Sequence, residues 1–161
     1  MNAVVGIAQT TSLPSDLTNK FISLGLNKKY ELAPYLKPSY LKADFNGDEV
    51  PDYAVLIINK LTKNKGILIM HGNTKNYYIF GADINFSDDL YNFNWAQQWE
   101  MYNKPFALEP QINQSGDITG EKRINLKRPA IDVERLEDGQ PWAGGLIYWT
   151  GKKYIWIHQG E

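Results

Sequence analysis

Apolar positions change their spacing along the chain, and each change marks an element. Leu17, Phe21 and Leu24 recur at helical spacing behind the cap-type stretch Leu13-Pro14-Ser15-Asp16 and stop at Gly25, which predicts one helix over about 15–24. A segment punctuated by Pro34 and Pro38 follows, and then the period shortens. Tyr40 to Asp44 and Tyr53 to Ile58 read as strands on either side of a polar turn, the second apolar enough to lie at the centre of a sheet. Thr62 to Gly66 turns the chain into Ile67 to Met70, and Gly72-Asn73-Thr74 turns it again into Tyr77 to Phe80. Ala130 to Leu136 alternates cleanly, and Leu146 to Trp149 pairs with Tyr154 to Ile157 across Thr150-Gly151-Lys152.

Between residues 85 and 125 the pattern is irregular. Trp95, Trp99 and Tyr102 nevertheless share helical spacing, which predicts a short aromatic helix over 95–102. Near-neighbour strands with few helices make an α+β fold. The expectation is one domain over 13–161: a mainly antiparallel sheet of about six strands, one N-terminal helix and the short aromatic helix.

Length and composition fit that picture: 161 residues, 43% of them hydrophobic, suffice for one buried core. Residues 1–12 stand apart as a flexible N-terminus or a signal-peptide remnant, because Ala3 to Ala8 is short and apolar, with Gly6 and Ala8 at the spacing a signal peptidase accepts. Lys plus Arg, at 17, nearly balance the 18 Asp plus Glu, so no general field attracts phosphate backbones, and nucleic acid is not expected as a partner. The basic groups Lys60, Lys63, Lys65 and Lys122, Arg123, Lys127, Arg128 read as solvated loops. There is no cysteine, hence no disulfide, thiolate metal site or cysteine nucleophile. No apolar run reaches the roughly 18 residues that a membrane span needs.

One stretch carries metal chemistry. Asp44-Phe45-Asn46-Gly47-Asp48-Glu49-Val50-Pro51-Asp52 places side-chain oxygens at loop positions one, three, five and nine between two strands. Calcium is a hard cation that takes six to eight oxygens, and alternate residues of a tight turn can aim them at one point. The other reading of the same residues is an Asx-rich turn whose side chains cap backbone amides. With Tyr53-Ala54 behind it, the stretch resembles the acidic calcium loops of FG-GAP and related (VCBS-like) propeller repeats over about a dozen residues. The resemblance implies Asp44, Asn46, Asp48 and Asp52 as side-chain ligands and Val50 as a carbonyl ligand for calcium. Glu49 departs from it, standing where a glycine is usual. A weak echo at Ala82 to Asp89 lacks the ninth acid, and two partial copies do not build a propeller. The wider layout is similar to small uncharacterised exported bacterial proteins, which implies a periplasmic or secreted location.

Other chemistry is sparse. His71 and His158 have no histidine or cysteine partner at metal-ligand spacing, and no nucleophile-elbow, phosphate-loop or dinucleotide motif occurs. His71 beside the acidic turn is one route to a small hydrolase. Glu100, Glu109, Asp117 and Glu134 are acids for a glycosidase pair, though no spacing singles out two of them. Large amphipathic rings are more numerous than a small core hides, and Trp95, Trp99 and Tyr102 are the expected partner-binding face. These features favour a non-catalytic exported protein of inhibitor or immunity type, with a protein or other macromolecular partner. The hydrolase is the alternative.

Overall fold

The computed structural model describes residues 12–160. The expectation for residues 1–12 lies, except for Ser12, outside them. The chain is one helix and many antiparallel strands, the α+β arrangement expected from the hydrophobic pattern.

Helix α1 (Ser15–Ser23) buries Leu17 and Phe21 one turn apart, and ends where Gly25 adopts a left-handed backbone. A first sheet follows, made of β1 (Tyr30–Leu32), β2 (Tyr40–Ala43), β3 (Asp52–Asn59), β4 (Lys65–Met70) and β5 (Tyr77–Gly81). β3 is its central strand, and β4 and then β5 extend the sheet from one edge. On the other edge β1 pairs with the C-terminal part of β3 and β2 with its N-terminal part. Burial on both faces explains the unbroken apolar run from Tyr53 to Ile57. Tyr53, Val55 and Ile57 lie under α1, while Ala54 and Leu56 face the second sheet.

That second sheet runs β11-β10-β9-β6, from β6 (Gln98–Tyr102), β9 (Ala130–Glu137), β10 (Gln140–Trp149) and β11 (Tyr154–Gly160). Its inner residues Trp99, Ile131, Val133 and Ile147 meet Ala54, Leu56, Ile67 and Ile69 of the first sheet in the main core. The outer face is covered by a separate hairpin, β7 (Phe106–Ile112) and β8 (Ile118–Asn125). Ala107 and Leu126 pack there on Ala130, Leu146, Tyr148 and Ile157.

Two expectations need correction. Among the described residues there are eleven strands rather than about six: residues 98–125 hold three that were not expected, and Tyr30–Leu32 is another. The predicted aromatic helix over 95–102 is instead a turn followed by β6, paired with Ala130 to Glu134 of β9. Helical spacing of three aromatic residues was outweighed by their preference for a pleated, half-buried surface beside a strand partner. The consequence falls on the site. In a helix Trp99 and Tyr102 share a face, whereas in a strand positions three apart point to opposite faces.

Candidate functional site

The acidic loop joins β2 to β3, closed by the pair Ala43 and Asp52 and anchored by the buried ring of Phe45. Its oxygens are turned on its own backbone. Asp44 Oδ1 accepts from the amides of Gly47 (2.7 Å) and Asp48 (3.0 Å), and its Oδ2 accepts from Glu49 N (2.8 Å). Asn46 Oδ1 accepts from Asp48 N and Asp48 Oδ1 from Val50 N. The amide of Val50 and the Asn46 side chain hold the Asp48 carboxyl below its ordinary range.

Asp52 is inaccessible to solvent. Its Oδ2 takes the amides of Phe45 (2.8 Å) and Asn46 (3.3 Å), and its Oδ1 takes Gly72 N (2.9 Å), so one carboxylate ties the loop to the turn after β4. Burial raises its pKa, while those amides and the nearby His71 act in the opposite sense. Gly47 and Glu49 both have left-handed backbones, with φ of 78° and 68°. The loop thus has the bend that a glycine would relieve at position 49, at a cost of about 1 kcal/mol for the residue present. Arg128 lies across Gly47 and donates from Nη1 to Trp149 O.

His71 connects this loop to an aromatic cluster. The Asn46 amide donates to Nδ1 (3.2 Å), which leaves Nε2–H to donate to the Tyr154 hydroxyl oxygen (2.9 Å). Tyr78, Trp149 and Tyr154 surround the ring, with centroids 5.0, 5.4 and 5.8 Å away. Burial lowers the His71 pKa against the opposing pull of Asp52 and Asp48, which agrees with a neutral imidazole. Lys20 of α1 donates to the carbonyls of His71 and Gly72. With 2% exposure and both ring nitrogens paired, His71 is a packed side chain rather than a reachable base.

The aromatic residues expected on one face are dispersed. Trp99 is 1% exposed and its Nε1 donates to Pro38 O, so it belongs to the core and not to a partner surface. Tyr102 is on the outer face of the second sheet and donates to Phe106 O at the base of the β7–β8 hairpin. Trp95 alone reaches a concave surface. With Leu90, Trp142, Ala143 and Trp156 it lines a recess of about 190 Å³ whose rim carries Arg135 and His158. Strand register explains the setting. Arg135 and Ala143 pair one step beyond Val133 and Gly145, where the inner face of the second sheet runs past the main core. Gly145 is required there, because a Cβ would overlap the indole of Trp156. Trp142 is 40% exposed, and the Arg135 guanidinium sits 5.3 Å from its ring centroid. A wider depression lined by Asp88, Glu109, Pro110 and Ile112 shares Leu90, Trp156 and His158 with the recess.

Sequence reasoning missed Trp142, Trp156, Arg135 and His158 as parts of one site. Alternation in β11, which puts Tyr154, Trp156 and His158 on one face, was the available signal. Of the four acids considered for hydrolysis, Glu100 and Glu134 come together on adjacent strands. Glu109 instead accepts from His158 N, and Asp117 accepts from Asn113 in the hairpin turn.

No described helix is long and apolar enough to cross a membrane. No family model matches the chain, and neither a curated protein nor a solved structure matches it.

Proposed function

We propose that the chain is a non-catalytic binding protein, exported to the periplasm or the medium, that acts as an inhibitor or immunity-type protein through the tryptophan-lined recess. The supporting observation is the recess itself: three indoles, Leu90 and Ala143 around a volume that one large side chain fills, with Arg135 as a cation at the rim. Such pockets receive the central anchor of a partner protein, and tryptophan and arginine are the residue types that dominate such contacts. Its nearly apolar walls do not suit a sugar, whose hydroxyls need partners. The partner proposed is therefore a protein that inserts one apolar side chain beside an acidic residue. Capture from the native periplasm or medium tests this. Wild type should retain one defined protein and Trp142→Ala should lose it, whereas equal recovery by both overturns the assignment to the recess.

A structural calcium ion in the acidic loop belongs to the same proposal. The residues fit it in part. Asp44, Asn46 and Asp48 have lone pairs to spare at the solvent side, and Val50 offers a carbonyl, but Asp52 is committed to three amides. Among the described residues, no three His, Asp or Glu side chains converge as a metal ion would require. Calcium would then stiffen a turn that amides already close. The test is a melt of chelator-stripped protein: millimolar calcium should raise Tm in wild type and not in Asp48→Ala. An unchanged wild-type Tm removes calcium from the account and leaves the recess untouched.

The alternative, a small hydrolase using the acidic turn or His71, requires an accessible base, and the enclosed His71 argues against it. It predicts turnover that His71→Ala or Asp48→Ala abolishes with the fold intact.

A further inference from the structure

The two connections that carry the chain between the second sheet and the β7–β8 hairpin run side by side. Residues 103–105 lead from β6 to β7 and residues 126–129 from β8 to β9, bracketed by the strand pairs Tyr102 with Ala130 and Phe106 with Asn125. The amide of Leu126 donates to Pro105 O (2.8 Å) and that of Lys127 to the Tyr148 hydroxyl (3.1 Å), so the connections are tied to each other and to β10. Between them is a pocket of about 320 Å³ that shares no residue with the tryptophan-lined recess. Lys104, Lys127, Arg128 and Asn103 line it beside the buried Leu126, and among the described residues no acid does. Three cations from two segments thus meet at one concave place, in a chain whose net charge is -1. Lys122 and Arg123 do not belong to it; the Arg123 guanidinium lies over the Phe106 ring, 3.9 Å from its centroid.

These cations are held in position by the chain itself. Lys104 and Arg128 each precede a proline, Pro105 and Pro129, and a residue before proline is restricted to extended backbone. The Arg128 guanidinium is fixed by Nη1 donating to Trp149 O (2.9 Å), and its Nε is buried with no hydrogen-bond partner. Lys104 Nζ sits 5.4 Å from the centroid of the Tyr102 ring. The field of Lys104 also reaches Asp132 and Glu134, but neither acid lines the pocket. Like charges held around one pocket repel one another, and an anion between them removes the repulsion.

We propose that this pocket binds a phosphate group. A carboxylate carries one charge and is matched by a single arginine, whereas a phosphate monoester carries about two and calls for further cations. Arg128 supplies a planar set of N–H donors, the two lysines supply point charges, and Asn103 adds a neutral amide donor. The volume stands at the lower end of the range of about 300–1,000 Å³ for small-molecule sites, so the ligand is inorganic phosphate or a small phosphate monoester.

Two-dimensional NMR titration of the full chain tests the site, with inorganic phosphate, glycerol 3-phosphate and acetate as probes at pH 7.5 and constant ionic strength. Both phosphates should shift the amides of 103–104 and 126–128 saturably, and acetate should leave them in place. Tighter binding of glycerol 3-phosphate assigns the site to a phosphate monoester, and equal binding assigns it to inorganic phosphate. Lys104→Ala and Lys127→Ala, both at exposed positions, should each raise Kd about tenfold through loss of one charge-assisted contact. No saturable shift with either phosphate, equal shifts with acetate, or an affinity unchanged in both variants overturns the proposal.

Discussion

Two clusters of acids in the molecule meet like-charge crowding with different surroundings. Asp44, Asp48 and Asp52 fall within nine residues of one turn, and their charge is met by amides: seven backbone N–H groups point at their oxygens. Glu100, Asp132 and Glu134 come from two strands, face one another, and have Lys104 as the offsetting cation. Amide dipoles stabilise the ionised form at exposed Asp48, which titrates below its ordinary range, whereas burial outweighs the amides at Asp52 and, together with neighbouring carboxylates, pushes Asp132 up to about 7. Acid count alone says nothing of a cluster's behaviour. What the oxygens meet decides it.

The largest way to break this comparison is to remove Asp52. Asp52→Ala orphans the buried amide of Phe45 and removes the partner of the part-buried amides of Asn46 and Gly72, at about 1–3 kcal/mol for each group left unsatisfied. Chemical denaturation should show a loss of about 3–5 kcal/mol. A loss below about 1 kcal/mol would mean that the amides find other partners.

Next comes pH. Asp132 has a folded pKa of about 7 against an ordinary value of 3.8, so the folded state binds the proton more tightly. Its contribution to stability is full below pH 4 and is lost as pH rises through 7. Asp132→Asn should therefore be more stable than wild type at pH 8.5, by about 1–2 kcal/mol, with the advantage vanishing at pH 4. Urea melts at the two pH values measure it, and a difference of the same size at both would point to packing instead. Smallest is Glu49→Gly, which relieves the left-handed backbone and should raise stability by about 0.5–1 kcal/mol in the same assay. A loss would show that the Glu49 side chain contributes more than its backbone costs.

The two clusters also differ in how far they could be read from the sequence. Asp44, Asn46, Asp48 and Asp52 lie close along the chain, so their spacing announced a turn, and the flanking strands β2 and β3 came with it. Alternation and turn residues likewise announced β4, β5, β9, β10 and β11. Asp132 and Glu100 are joined only by the pairing of β6 with β9, which has no local mark. The misreading of 95–102 as a helix concealed that pairing and put Trp99 on the surface, when it fills the core. The recess was hidden for the same reason: Trp95 comes from the connection into β6, Trp142 from the start of β10 and Trp156 from β11, and only the sheet assembles them. Local chemistry is legible in a sequence, whereas chemistry made by long-range pairing requires the fold.

The functional account rests on the recess, and the most direct test is capture of a partner by the full chain immobilised at neutral pH, wild type beside Trp142→Ala and the core-preserving control Leu61→Ala, whose side chain is 90% exposed. The account predicts one protein retained in stoichiometric amount by wild type and by Leu61→Ala, and lost by Trp142→Ala. Retention of nothing specific by wild type, or of the same protein by all three, would contradict a binding function seated in the recess.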